Sequence, residues 1–403
     1  MSVESGVVIV GAGLAGLRTA EQLREQGFEG SITLLGDEEF APYDRPPLSK
    51  RALKEPDVAL PVLLDIHALD ALKLDLRLNT RVVGLDPIRH TVTVADGSVI
   101  SFGVLVIATG ARPRLLRGTT PRVGLHTLRT FNDARAIASD IRQHGHIVVI
   151  GAGFIGCEVA ATAREMGAEV ALVEALSTPL SIPVGETIGQ EVLRMHREHG
   201  VSVYCDSLVT KLVGGEHLEG VELSTGELLP AGAVVVGLGV TPTVDWLGGT
   251  DLAMDNGITC DASGHTSIED VYAVGDVAHW TSAHGYEGRH EHWTSAIDQA
   301  RVVAANIMGS TDESKTRLLE LPYFWSDIYG VKIQALGWPA GRFESMVLHL
   351  GPASDKLVVL YSDDDRFVGI VGLSAPRIVM SARSMLQAGI GLDEAASRLT
   401  SSA

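Results

Sequence analysis

The stretch Val7-Val8-Ile9-Val10-Gly11-Ala12-Gly13-Leu14-Ala15-Gly16 sets the pattern of the chain, and it returns 140 positions later as Ile147-Val148-Val149-Ile150-Gly151-Ala152-Gly153-Phe154-Ile155-Gly156. Val7 to Val10 is a short, continuously apolar run that reads as a buried strand, and Leu14, Leu17, Ala20 and Leu23 then recur with helical period. Gly27 ends that helix and Ser31 to Leu35 reads as a second strand, so the first 35 residues form one β-α-β unit. The second copy reads the same way. His146 to Ile150 is a strand, Phe154 to Met166 a helix stopped by Gly167, and Glu169 to Val173 a strand. A lone Gly-x-Gly-x-x-Gly is weak evidence, since about 0.5 matches are expected by chance in a chain this rich in glycine. Here each follows a strand and opens a helix, as required for backbone amides at a helix N-terminus to approach a pyrophosphate. A ligand-free glycine turn is the bland alternative.

Outside these units, Arg81 to Ala108 alternates as short strands around the turns Asp86-Pro87 and Asp96-Gly97, which predicts an antiparallel meander. A similar stretch, Val201 to Gly239, follows the second unit, so the repeat is that of a whole nucleotide-binding domain. Further on, a helix is expected from Thr294 to Met308 and a polar linker from Gly309 to Lys315. Tyr323 to Leu373 is strand-rich and Arg377 to Leu399 helical, which fits a small α+β domain.

Composition narrows the partners. The chain's 403 residues allow two to four domains, and its 44 glycines exceed the usual share of about 7%. A net charge of −18 opposes contact with nucleic acid or anionic lipid. Val7 to Val10 is too short for a signal-peptide core, and no apolar run nears the roughly 20 residues that span a bilayer, so a cytoplasmic protein without a membrane partner is expected. Cys157, Cys205 and Cys260 are isolated in sequence and form neither a Cys-x-x-Cys pair nor a zinc spacing. His290-Glu291-His292 is not expected to bind metal, because neighbours on an extended segment face opposite ways and no third ligand is obvious. Cys157 reads as a packing residue and Asp363-Asp364-Asp365 as a solvated turn.

An acid near the end of the second strand of such a unit hydrogen-bonds the adenosine ribose. Asp37, beside Glu38, and Glu174 fill that place in the two copies. A carboxylate at Glu174 would repel a 2′-phosphate, and Ala175 to Ile182 contains no Arg or Lys to pair with one, so NADH is favoured over NADPH.

Tyr43-Asp44-Arg45-Pro46-Pro47-Leu48-Ser49-Lys50, Ala108-Thr109-Gly110-Ala111-Arg112-Pro113, Val274-Gly275-Asp276 and Tyr323-Phe324-Trp325-Ser326-Asp327 closely resemble segments of the ferredoxin, rubredoxin and putidaredoxin reductases that serve bacterial oxygenases. The resemblance runs over essentially the whole chain. It implies an α/β fold of two nested Rossmann-like domains with glutathione-reductase-like topology plus the small α+β domain. The first domain, 1–113 and 242–318, would bind FAD; the inserted one, 114–241, would bind NADH; and 319–403 would be the third.

The same resemblance implies an FAD site of Gly11, Gly13, Leu14, Ala15 and Gly16 at the pyrophosphate and Asp37 at the ribose. Lys50 would lie at the isoalloxazine, Asp276 with Gly275 at the ribitol, and Trp293 beside the flavin; Arg45, Val82, Ala108, Thr109, Gly110 and Arg129 complete the set. The NADH set is Gly151, Gly153, Phe154, Ile155, Gly156, Glu158, Glu174 and Gly239, the last passing beneath the nicotinamide. Lys50 and Glu158 are the candidate catalytic pair. A cation near the flavin would stabilise its anionic reduced form. Glu158 reads as lying on the first turn of its helix, where the macrodipole favours a carboxylate, and in the family a glutamate here lies near the nicotinamide and can pair with the lysine.

Hydride transfer between two stacked rings asks little of the protein beyond positioning, exclusion of water and charge placement. Related flavoenzymes that reduce disulfides need a cysteine pair, which is missing, so the electrons are expected to leave by the flavin edge, either singly to a protein redox centre or to a small molecule such as oxygen; a [2Fe-2S] ferredoxin is the expected acceptor. Arg45, Lys50 and Arg51 are candidates for a basic docking patch, and the protein is expected to be a monomer or homodimer. An NADH oxidase or small-acceptor reductase is the alternative. A redox-sensing protein similar to apoptosis-inducing flavoproteins is disfavoured by the acidic charge.

Overall fold

A computed structural model describes residues 6–116, 118–120, 122–281, 287–309, 316–318, 321–351 and 355–402, so the expected linker lies, past Gly309, outside the described residues. The chain forms two compact units, one of Met1–Asp44, Leu60–Arg112 and Val240–Pro322, the other of Arg45–Ala59, Pro113–Gly239 and Tyr323–Ala403.

In the first unit the strands run in the order Val271–Ala273, Val104–Ile107, Val7–Val10, Ile32–Leu35 and Asp75–Arg77, all parallel. The apolar runs are buried on both faces because a parallel sheet is covered by its crossovers. Val10 pairs with both Leu35 and Ile107, so three strands end at one level and the Gly11 turn leaves from there. The helix Leu14–Glu25 follows, packed against the helix Trp293–Gly309, which starts one residue before the expected Thr294. The expected meander forms from Val82–Asp86, Thr91–Val94 and Val99–Ser101.

The second unit repeats the plan, with parallel strands in the order Ser202–Tyr204, Glu169–Val173, His146–Ile150, Ala233–Val236 and Leu125–His126. Its meander is Val209–Gly214, Leu218–Leu223 and Leu228–Pro230. The helix Phe131–His144 is capped at its start by a reciprocal Thr130/Asp133 box and ended by Gly145 in the left-handed region, so its boundaries are locally written. The C-terminal segment is an antiparallel sheet in the order Tyr323–Ile328, Val331–Gly337, Arg366–Leu373, Lys356–Asp363 and Glu344–Leu350, with helices Pro376–Ser381, Arg383–Ala388 and Leu392–Ser402. Asp363, Asp364 and Asp365 are exposed at a turn, as expected.

Arg45–Ala59, grouped by the sequence with the first Rossmann half, packs as part of this second unit. It forms a 3-10 turn, Pro46–Ser49, and a short helix, Arg51–Lys54. The Arg142 guanidinium donates to the carbonyls of Leu53 (2.9 Å) and Lys54 (3.1 Å), and the Thr162 hydroxyl donates to the carbonyl of Ser49 (2.7 Å). Those donors satisfy carbonyls that a helix this short leaves open.

Candidate functional site

In the first unit the glycine positions are fixed by backbone proximity. A Cβ on Gly11 would lie 2.2 Å from the carbonyl oxygen of Ala108, and one on Gly16 would lie 2.0 Å from that of Gly11. Gly13 is different. It is the N-cap, no side chain caps the helix, and a Cβ there would meet nothing within 4 Å. No side chain caps the first amides of the helix, which suits a pyrophosphate.

The later motifs close around this turn. Thr109 donates to the carbonyl of Thr243 (2.8 Å), and Gly110 accepts from the amide of Thr243 (3.0 Å). Gly275 has φ +75°, and a Cβ on it would lie 2.8 Å from that of Ala15, so this position must be glycine for both conformation and space. Its amide donates to Gln299 Oε1 (2.7 Å), a partner the sequence did not suggest. Asp276 lies in the 3-10 turn Gly275–Val277, Val82 is buried at the start of the meander, and Asp37 is exposed beyond its strand. Trp293 begins its helix and donates its indole N–H to Asp44 (2.8 Å).

In the second unit the geometry repeats and the charges do not. A Cβ on Gly151 would lie 2.5 Å from the Gly237 carbonyl, one on Gly156 would lie 1.9 Å from that of Gly151, and Gly153, the N-cap, again faces open space. Glu174 accepts from the amides of Ala152 (2.6 Å) and Leu176 (3.0 Å), so the acid ties the glycine loop to the end of its own strand. Phe154 and half-exposed Ile155 open the helix, and Gly239, at φ +81°, accepts from the amide of Arg114 (2.9 Å).

Glu158 is the fifth residue of the helix Phe154–Glu165, which corrects its expected place on the first turn. The macrodipole acts mainly within the first turn and does not account for a charge buried here. Its partners do. Glu158, 6% exposed, takes Lys50 Nζ at 2.7 Å and Ser49 Oγ at 2.5 Å on Oε2, and Ser326 Oγ at 2.7 Å on Oε1. A buried carboxylate survives when each oxygen has a donor and a cation is near. Arg45 is turned to the carbonyl of Arg129, so both belong to the same unit as the ion pair. Ser49 and Ser326 were not singled out from the sequence. Both lie inside motif segments, but nothing local marks a partner 109 or 168 residues away.

None of the three thiols is paired. Cys157 is buried, and burial with the nearby Glu174 and Glu158 charges pushes its pKa well up. Burial does the same to Cys260 and, more weakly, to Cys205. His290 and His292 are held neutral, at pKa values of about 4 and about 3, by desolvation and by the neighbouring His279 and His290 respectively. Among the described residues no cluster of three or more His, Cys, Asp or Glu could hold a metal ion, and no helix is long and apolar enough to cross a membrane.

Each unit thus carries a glycine turn that opens a helix, and in the second a buried ion pair sits on that helix. The family described as pyridine nucleotide-disulphide oxidoreductase matches residues 5–300, and the reductase C-terminal family matches 323–400, so the chain belongs to that oxidoreductase family. Rhodocoxin reductase of Rhodococcus erythropolis is 36% identical over 94% of this chain and 89% of its own length. The ferredoxin–NAD(+) reductase component of the anthranilate 1,2-dioxygenase system of Burkholderia cepacia is 36% identical over 95% and 94%. Among solved structures, the reductase of the covalent putidaredoxin reductase–putidaredoxin complex has a TM-score of 0.89 and 31% identity, over 96% of this chain and 94% of that one. Family membership implies FAD and NADH as cofactors, in agreement with the sequence-based expectation.

Proposed function

We propose that the protein is an FAD-dependent NADH:ferredoxin reductase that passes electrons to a [2Fe-2S] ferredoxin supplying an oxygenase, and that it works in the cytoplasm as a monomer or homodimer. The state of the thiols carries this reading. With two of them buried, none paired and all shifted toward the protonated form, the chain offers no dithiol relay, so electrons go to an external acceptor. Its relatives by name include ferredoxin reductase components of dioxygenase systems.

The first cradle, with Gly11, Gly13, Leu14, Ala15, Gly16, Asp37, Val82, Ala108, Thr109, Gly110, Gly275, Asp276 and Trp293, would hold FAD. The second, with Gly151, Gly153, Phe154, Ile155, Gly156, Glu158, Glu174 and Gly239, would hold NADH. FAD, when bound, takes two electrons as hydride and releases them singly. The protein's own work is positional. The uncapped amides after Gly13 and Gly153 would bind phosphates, Glu174 would select a free ribose hydroxyl, and Glu158 fixes the position of the Lys50 ammonium.

Turnover of NADH in air, measured with and without a [2Fe-2S] ferredoxin, tests the proposal. Slow turnover alone with strong stimulation by ferredoxin is the expected result. Full turnover with oxygen or a quinone and no response to ferredoxin would favour the small-acceptor alternative.

A further inference from the structure

We infer that Ser326 is a positioning residue: its hydroxyl, carried on a strand of the C-terminal sheet, orients the Glu158 carboxylate and thereby holds Lys50. The inference rests on the reading of Lys50 and Glu158 given above.

Ser326 is wholly buried, and its hydroxyl donates to Glu158 Oε1 at 2.7 Å across 168 residues of sequence. Oε2 is already taken by Ser49 and Lys50, so Ser326 is the donor that satisfies the other oxygen. Without it a desolvated carboxylate oxygen loses its partner and the group regains freedom to rotate toward water. Lys50, whose side chain is 27% exposed, would rotate with it or dissociate.

The strand is pinned on both sides of Ser326. Phe324 and Ser326 share a face by strand alternation, and the Phe324 ring meets Phe154 edge-on at 5.2 Å, at the first residue of the helix that carries Glu158. Beyond the strand, Tyr329 stacks on His199 at 3.7 Å and its hydroxyl bonds His196 Nδ1 at 2.9 Å. These contacts fix the register that delivers the hydroxyl. The C-terminal segment is thus part of the charge placement at the second cradle, beyond covering its helix. The bland alternative is a buried serine that takes whatever acceptor is near, with no effect on Lys50.

Brief amine acetylation of the purified protein, read peptide by peptide by mass spectrometry, separates the two and needs no turnover. Loss of a hydrogen bond to a charged group should raise the labelling rate of Lys50 about fivefold to tenfold in Ser326→Ala, with Lys211 and Lys332 unchanged. Ser326→Thr should label like the wild type and Ser326→Cys, a weaker donor of similar size, in between, which keeps the test decisive if the alanine variant folds poorly. On a Glu158→Gln background the same Ser326→Ala change should add less than about a twofold effect, because coupled residues lose their interaction once. In parallel, flavin bleaching by NADH should slow about tenfold in Ser326→Ala with the dissociation constant for NADH unchanged. Equal Lys50 labelling in Ser326→Ala and wild type, or an equal increase on the Glu158→Gln background, would overturn the inference. A wild-type protein whose flavin is not bleached by NADH would instead overturn the functional reading, whatever the labelling shows.

Discussion

The two glycine loops obey the same backbone constraint and differ in the charges around them. In both, the last glycine lies against the carbonyl of the first, so close that a Cβ there would be about 2 Å from its oxygen, and the middle glycine faces open space. Around the first loop the acid Asp37 is exposed, and the closing residues come from far downstream, with Gly275 packed on Ala15. Around the second, Glu174 is bonded to the loop and Glu158 holds a lysine. A shared motif therefore fixes only the backbone of the turn; what distinguishes the two loops is the residues that converge on them.

The largest effect should come from breaking the shared constraint on one side. Gly16→Ala and Gly156→Ala each force a methyl into a backbone carbonyl, and each should lower stability by about 3 kcal/mol in thermal or denaturant unfolding. Only Gly16→Ala should also lose flavin on gel filtration. Gly13→Ala, with open space around it, should leave stability within about 0.5 kcal/mol and still weaken flavin retention.

Acid should act on the second unit through His196. It is fully buried, and its pKa is lowered from 6.5 to about 4 by desolvation and by His199. The unfolded chain binds the extra proton between those values, so stability is full above pH 6.5 and is lost as pH falls toward 4. The loss at pH 5 should be roughly 2 kcal/mol from this group, and His196→Asn should flatten the unfolding profile over that window.

Glu174→Ala leaves the amides of Ala152 and Leu176 without their acceptor. The KM for NADH should rise about tenfold, NADPH should become a relatively better substrate, and flavin content should not change. If flavin were lost instead, the assignment of the two cradles would be reversed.

The smallest effect concerns docking. Of the expected basic patch, Lys50 is committed to Glu158 and Arg45 to a carbonyl, while Arg51 is exposed in a surface pair with Glu55. Arg51→Glu should raise the KM for ferredoxin about threefold at low salt and have no effect at high salt.

Most of the fold was legible because its signals are local. Buried four- and five-residue runs, helical period and glycine stops mark both β-α-β units, and the alternating stretches after them form the meanders. What was illegible depends on tertiary packing. Nothing in Arg45–Ala59 states that Arg142 and Thr162 will hold it, so its unit could not be read from its place in the chain. Glu158 was visible as a candidate, yet the helix starts at Phe154, so its charge is stabilised by partners rather than by the helix end. Ser49 and Ser326 reach it across 109 and 168 residues, a distance at which a serine carries no sequence signal.

Anaerobic titration of the purified protein with NADH, followed by mixing with a [2Fe-2S] ferredoxin, separates the two half-reactions and decides whether electrons reach the partner. One equivalent of NADH per flavin should bleach the flavin absorbance, and ferredoxin should restore it while becoming reduced. A protein that binds no flavin, or whose flavin is bleached by NADH but not reoxidised by any such ferredoxin, would contradict the account.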